Sequence, residues 1–434
     1  MIGRTAKALT EAAGLVRGPQ RVLPLIHRLT HDKIRVTFDR RHLYSYATTT
    51  RPTSDAMELL IRWLLDAQRA DGGIAAYYSL LTGYSESYPE VTGYVIPTLF
   101  DYSQLDFAHS DSAQPTQHES ATVAAERAIQ WLLSLQMPTG AFPGGLHGSS
   151  SEVQPSVFNT GQILIGLVRA WRETDRSDVR DAAIAAGGWL VKMQQSDGSW
   201  SGPGAYQGTA HTYYSMVSWA LAALADQSAD HRDDDRDDGR NNDRNNDRYG
   251  LAAERNCDWV LSYVRPSGWI DGINLQGHPS YLHFIAYILQ GVLECAILRG
   301  RSDAIQTIAN SAWVMLRKFE TNKYLPGAFG EDFKNGRKFT CLTGNAQMSC
   351  VWLRLFEMTN DLRYLNAALK MNELLKHLVP RNGPRGIVGG VSGSYPVWGA
   401  YQPLRYISWG CKFFADALML EQRLTRSYEA ACAP

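Results

Sequence analysis

Apolar residues along this chain fall into two alternating kinds of helical stretch. The first kind ends in Trp-Leu-Leu or Trp-Leu-Val, then a Gln and a polar turn: Trp63-Leu-Leu-Asp-Ala-Gln68 before Asp71-Gly72, Trp131-Leu-Leu-Ser-Leu-Gln136 before Gly140, and Trp189-Leu-Val-Lys-Met-Gln194 before Asp197-Gly198. Weaker copies follow at 259–269, 313–327 and 372–386. The tryptophans at 63, 131, 189, 259 and 313 are spaced by 68, 58, 70 and 54 residues, the length of two helices with their loops. Six copies predict six helical hairpins.

The second kind follows each turn and is apolar over most of its circumference: 91–105, 157–171, 212–225, 281–298, 342–358 and 404–420. A helix apolar all round must be buried on all sides, so these six predict an inner ring and the Trp-bearing helices an outer one. Gly83, Gly93, Gly161, Gly166, Gly291 and Gly344 lie at or in this set. Small residues there allow close helix contact, at about 1 kcal/mol each relative to Ala within a helix. The prediction is an all-α chain, an (α/α)6 toroid over 51–425 with an N-terminal extension (1–50) and a tail (426–434). The Gly-rich 386–401 stretch is the one expected β-hairpin.

Lys plus Arg and Asp plus Glu both number 43, so no basic field attracts a nucleic-acid backbone. With 44% hydrophobic and 20% charged residues the chain can bury a large core. Residues 1–31 lack the continuous apolar stretch of a signal peptide, and no run approaches 18 apolar residues, which predicts a cytoplasmic protein with no membrane span. Six cysteines without CxxC spacing or a Cys/His cluster predict reduced, buried thiols and no metal site. No nucleotide, metalloprotease or serine-hydrolase signature calls for a cofactor. The stretch 227–248 is almost entirely Asp, Arg, Asn and Gly, too polar to offset ordering entropy, and predicts a disordered insertion. It contains Asp233-Asp-Asp-Arg-Asp237, a DDxxD string of the kind that binds magnesium diphosphate in isoprenoid enzymes; a metal site needs a rigid helix beneath it, and this composition favours none.

The turn Gln194 to Trp200 fits QxxxGxW and Gln136 to Phe142 fits QxxxGxF. Both resemble the QW repeats of squalene and hopene cyclases, although the acidic DxDD proton donor of those enzymes is found on no inner helix. Trp352-Leu-Arg-Leu-Phe-Glu-Met-Thr-Asn-Asp-Leu-Arg-Tyr364-Leu-Asn-Ala-Ala368, echoed in Leu167 to Asp175, resembles the hairpin turns of toroidal sugar enzymes: unsaturated glucuronyl hydrolases, N-acylglucosamine 2-epimerases and polysaccharide lyases. Both resemblances imply the toroid. Neither carries over a catalytic residue, because the matching positions are structural turns.

In a toroid the inner helices start on one face, so residues at their N-termini converge on a funnel where the helix dipoles favour anionic groups. His211, Tyr213, His283 and Glu90 are the candidate catalytic residues. Tyr88, Asn159, Tyr281, Asn345, Gln347, Tyr395, Tyr401, Arg405 and Lys412 are candidate substrate contacts, with Trp200, Trp269 and Trp398 as stacking walls for sugar rings. Thr343 opens its inner helix beside them, and Asn159, Thr343 and Gln347 suit helix capping or interhelical bonding as well as substrate contact. Asn345 or Arg405 facing a uronate carboxylate, with His211 or Tyr213 taking the C5 proton, gives elimination or epimerisation. Hydrolysis instead needs two carboxylates, for which Glu90 with Asp271 or Asp332 is the available pairing. Three classes stand open: an enzyme acting on an acidic oligo- or polysaccharide, a terpene cyclase or isoprenoid-binding enzyme, and a non-catalytic helical scaffold. The oligomeric state is not legible.

Overall fold

The computed structural model describes residues 25–32, 50–105, 116–149, 153–230, 243–273 and 279–432. A short helix α1 (residues 25–32) precedes six outer–inner pairs. The outer helices are α2 (Thr53–Ala67), α4 (Gln117–Leu135), α6 (Ser177–Met193), α8 (Asp243–Leu261), α10 (Ser302–Asn322) and α12 (Leu362–Leu378). The inner helices are α3 (Pro89–Ser103), α5 (Val157–Thr174), α7 (Ser215–Asp230), α9 (Leu282–Leu298), α11 (Leu342–Thr359) and α13 (Ser408–Cys432). Each inner helix packs on the next, and α13 returns to α3 and α2, so the ring closes as an (α/α)6 toroid.

The QW-like turns lock neighbouring pairs together. Gln68, Gln136 and Gln194 each end an outer helix, and each side-chain amide donates twice: to the glycine carbonyl of its own turn (Gly72, 2.9 Å; Gly140, 3.1 Å; Gly198, 3.1 Å) and to a carbonyl of the next outer helix (Ala124, Ala182 and Ala252, each 2.8 Å). Gly198 has φ +89°, and a Cβ there would lie 2.4 Å from the Arg255 carbonyl oxygen, so both its conformation and its neighbour require glycine. The opposite turns, inner to outer, end in left-handed Asp175 and Asn360, each after a Thr whose hydroxyl bonds back one turn. Both turn motifs are therefore parts of the frame.

Inner helices approach closely at their glycines. A Cβ on Gly93 of α3 would lie 2.5 Å from Ile163 Cα of α5, and one on Gly166 would lie 2.1 Å from the Gly93 carbonyl oxygen. Gly161 meets Val217 of α7, Gly291 meets Ser215, and Gly344 meets Leu282 and His283 of α9. Gly83 lies outside the inner helices, in strand β2.

Strand is confined to short loop pieces: β1 (Tyr77–Ser79), β2 (Gly83–Tyr84), β3 (Ser280–Tyr281), β4 (Ala328–Phe329), β5 (Thr340–Cys341), β6 (Ser394–Tyr395) and β7 (Arg405–Ile407). β7 pairs antiparallel with β1, Tyr78 opposite Tyr406, so the last inner helix is tied to the first outer-to-inner turn. The Gly-rich loop folds back on itself slightly further along the chain than expected, with Ser392 bridging Tyr406, the Gly393 N–H on the Arg405 carbonyl and the Leu404 N–H on the Val397 carbonyl, while β6 also pairs with β5 from the preceding repeat. Two boundaries also differ. Helix α13 continues to Cys432 through most of the expected tail, and α7 and α8 extend into both ends of the polar insertion; its DDxxD string lies outside the described residues. Five described cysteines are free and buried, and among the described residues no helix is long and apolar enough to cross a membrane.

Candidate functional site

The rotation of each inner helix is fixed by its neighbours, and this decides which side chains face the ring axis. On α3, Gly93 lies against α5 while Thr92 accepts the Ile74 backbone N–H of the outer turn (2.9 Å) and Thr98 reaches Asp416 of α13 (2.6 Å). Glu90 and Tyr94, one turn apart, project to the remaining side, toward the axis. On α5, Gly161 faces α7, Ile163 faces α3 and Thr160 accepts from Phe142 in the outer turn (2.9 Å), which leaves Phe158 and Gln162 pointing inward. The same construction puts His283 and Tyr287 of α9, and Thr343 and Gln347 of α11, on the inner face.

These residues form a cup. Helices α3 and α9 are opposite members of the six, so Glu90 and His283 sit across the axis from each other. One turn below them the Tyr94 and Tyr287 phenols approach from opposite sides, near enough for each to influence the other. Aromatic rings build the wall: Tyr287 lies 4.1 Å from His283 between ring centroids, Phe158 4.9 Å from Tyr213, Tyr213 5.6 Å from Phe284, and Tyr281 5.3 Å from Tyr401. Tyr401 also lies 5.4 Å from His283 and accepts the Trp409 indole N–H at 2.9 Å. Tyr88, Phe158, Tyr281 and Phe284 are part-exposed at the rim.

Glu90 is 8% exposed and accepts the Tyr88 hydroxyl at Oε2 over 2.5 Å. Burial lifts its carboxyl to about 7, with the Tyr88 bond pulling the other way. Burial, reinforced by the Glu90 charge, pushes the phenols of Tyr88, Tyr94, Tyr213, Tyr287 and Tyr401 well above their ordinary range. His283 is buried and pushed down to about 4 by desolvation, against the opposing effect of its bond to Gln347. Its Nδ1 lies 2.6 Å from Gln347 Oε1; an amide oxygen only accepts, so Nδ1 carries the hydrogen and Nε2 the lone pair. The cup therefore holds a carboxylic acid that is protonated below neutrality opposite a neutral imidazole.

Other expected residues lie elsewhere in the frame. His211 Nε2 donates to the Tyr206 carbonyl (3.0 Å) beside Thr209 Oγ1 (3.1 Å), and its ring stacks on Tyr213 at 5.0 Å. Burial lowers its pKa. Asn159 bonds the Pro143 carbonyl (3.1 Å) at the α5 terminus. The Asn345 amide nitrogen is spent on Thr340 and the Cys341 carbonyl. Arg405 lies 4.1 Å over the Tyr77 ring and bonds Gln402. Lys412 pairs with Asp416, buried between α3 and α13. Trp200 is buried with its indole N–H on the Leu190 carbonyl, Trp269 packs on Phe333, and Tyr395 is buried ahead of a cis proline. Trp398 is 41% exposed. Asp271 pairs with Arg265, and Asp332 bonds Ser267 and lies 3.6 Å from Arg265. A surface hollow of about 710 Å³, lined by Asp71, Glu126, Arg127 and Trp131, opens on the outer ring, and no cup residue lines it.

Tyr94, Tyr287, Phe158 and Gln162 escaped the reading of the sequence. The i, i+4 rule applied to Glu90 and His283 reaches the first two, and the same rule relates the last two.

Residues 40–241 match the squalene-hopene cyclase C-terminal domain family. No curated protein matches the chain. Among solved structures, an unsaturated glucuronyl hydrolase specific for heparin superposes with TM-score 0.65 at 12% identity, covering 86% of this chain and 98% of its own. Cellobiose 2-epimerase from Spirochaeta thermophila gives 0.61 at 14% identity over 86% and 97%, and a D-mannose isomerase 0.61 at 11% over 86% and 97%. The chain has the fold of the toroidal sugar enzymes. At these identities the likeness fixes architecture and leaves the chemistry to the cup.

Proposed function

We propose that the chain is a carbohydrate-active enzyme that moves a proton at a carbon next to a sugar carbonyl, with Glu90 as the acid and His283 as the base. The observation that carries this reading is the buried, Tyr88-bonded Glu90 facing His283 across an aromatic cup. His283 Nε2, with its lone pair free of Nδ1–H, takes the α-proton; Glu90 gives its proton to the carbonyl oxygen as negative charge develops there. Returning the proton from His283 to the same carbon, as Glu90 takes back the hydroxyl proton, gives the epimer; delivering it to the neighbouring enediol carbon, as Glu90 takes the other hydroxyl proton, gives the isomer. Phe158, Tyr281 and Phe284 offer flat faces of the kind on which sugar rings stack.

The finer expectation was an acidic saccharide, with Asn345 or Arg405 facing its carboxylate. Their partners in the frame, together with the Lys412–Asp416 pair, favour a neutral sugar instead. Incubating the protein with neutral and uronate-containing oligosaccharides in D₂O and following proton NMR tests this. Deuterium entering one carbon of a neutral sugar, lost in Glu90→Gln and His283→Gln, is the expected result. New reducing ends would point to hydrolysis, and an unsaturated uronate to elimination.

A second reading draws on the family match over residues 40–241 and on the same cup: Glu90 protonates an alkene, and the aromatic faces stabilise the carbocation. Conversion of squalene or farnesol, with no deuterium exchange into sugars, would establish it.

A further inference from the structure

Two polar side chains facing the ring axis have no partner among the described residues. Gln162 on α5 is 0% exposed, yet neither its amide oxygen nor its amide nitrogen meets a hydrogen-bonding group. Thr343, equally buried at the start of α11, has an unpartnered hydroxyl. Helices α5 and α11 are opposite members of the inner ring, so these groups approach the axis from two sides, as Glu90 and His283 do from α3 and α9.

Their heights follow from the helix crossings. Gly93 and Ile163 meet where α3 crosses α5, so Gln162 lies at the level of Tyr94, one turn below Glu90. Gly344 meets Leu282 and the His283 backbone, so Thr343 lies at the level of His283. Phe158, one turn above Gln162 on the same face, is part-exposed whereas Gln162 is not, so a ligand meets the amide only by displacing the Phe158 ring.

Buried polar groups are nearly always hydrogen-bonded, and an unpaired pair of amide atoms in an aromatic cup is costly unless something else completes it. The chemistry of the missing partner can be specified. The amide oxygen needs a donor and the amide nitrogen an acceptor, side by side. Two adjacent hydroxyls supply both. A carboxylate supplies acceptors only and leaves Oε1 unpaired, while a hydrocarbon supplies neither.

We infer that Gln162 and Thr343 form a subsite for the hydroxyl groups of a neutral sugar, with a vicinal diol on the Gln162 amide. This rests on the carbohydrate reading of the cup but on different atoms, and it makes the two residues determinants of specificity rather than of proton transfer.

Calorimetric titration with cellobiose, mannose, glucuronate and farnesol, alongside thermal melting, tests it on the full chain and on Gln162→Met. The expected result is binding of cellobiose or mannose by the wild type, at least tenfold weaker in Gln162→Met, with a melting temperature unchanged or higher because no hydrogen bond is lost. Equal sugar affinity in the two proteins would overturn the subsite and leave the carbohydrate reading standing. Binding of farnesol with neither neutral sugar, or no binding of any probe, would overturn both. If Gln162→Met melts lower and binds less, Thr343→Val decides: unchanged melting with weaker sugar binding supports the subsite, and unchanged binding removes it.

Discussion

The Tyr88 hydroxyl donates to Glu90 Oε2 across 2.5 Å, and this bond draws the carboxyl down against the burial that lifts it to about 7. Removing it should therefore raise Glu90 further. In Tyr88→Phe the carboxyl should titrate above its wild-type value, and any activity needing the protonated acid should persist to higher pH. Carbon NMR of labelled glutamate, followed against pH in both proteins, measures the shift.

Glu90 and His283 should oppose each other in stability against pH. The folded state holds the Glu90 proton to about 7 against an ordinary 4.5, so its contribution is fully present below 4.5 and is lost as pH rises to 7. His283 is depressed from 6.5 to about 4, so its contribution is present above 6.5 and is lost as pH falls to 4. Each displacement corresponds to about 3 kcal/mol, with opposite sign over nearly the same window. Each replacement should remove one slope and expose the other. Relative to wild type, Glu90→Gln should lose stability toward acid and His283→Gln toward base; parallel profiles in chemical denaturation from pH 4 to 8 would exclude the pair.

Gly198 and Gly202 separate conformation from contact. Both have positive φ, but a Cβ at Gly202 meets nothing within 4 Å while one at Gly198 strikes the next outer helix. Gly202→Ala should cost about 1 to 2 kcal/mol, and Gly198→Ala roughly 2 to 5 kcal/mol, with the excess coming from overpacking. Trp189→Ala, which empties a buried site on α6, the helix that leads into this turn, should cost roughly 3 to 5 kcal/mol. Urea unfolding midpoints rank the three.

His211 holds the 206–211 loop through Nε2, a position that the amide nitrogen of Gln reaches and that of Asn does not. His211→Asn should lose about 1 to 2 kcal/mol, and His211→Gln should recover most of it with turnover within about tenfold of wild type. A hundredfold loss in both variants at unchanged melting temperature would instead make His211 the base.

The ring was legible because its signal repeats: Trp-Leu-Leu followed by Gln and Gly recurs where an outer helix must cap itself and clamp its neighbour. The Gly-rich turn near 386–401 was legible, but its second pairing was not, because nothing in Ser394-Tyr395 names Thr340-Cys341 of the preceding repeat as a partner. Glu90 and His283 could be picked as polar residues opening apolar helices. That they oppose each other depends on helix rotation, which is set by glycine contacts more than 50 residues away in sequence, and that Arg405 turns to Tyr77 depends on the pairing of β7 with β1.

Closure of the ring ties together segments that are far apart along the chain: β1 to β7, and the Ser408 hydroxyl to the Ala75 carbonyl across 333 residues. Bringing such distant segments together costs on the order of 5 kcal/mol in chain entropy. Five of the six junctions between inner helices join successive repeats and can form as the chain lengthens; the sixth can form only after all the others. That last junction brings Glu90 and Tyr94 of the first inner helix up against the final one, completing the circle around the axis. An open horseshoe of the same six hairpins would keep its QW turns and most of its core, yet enclose no cup.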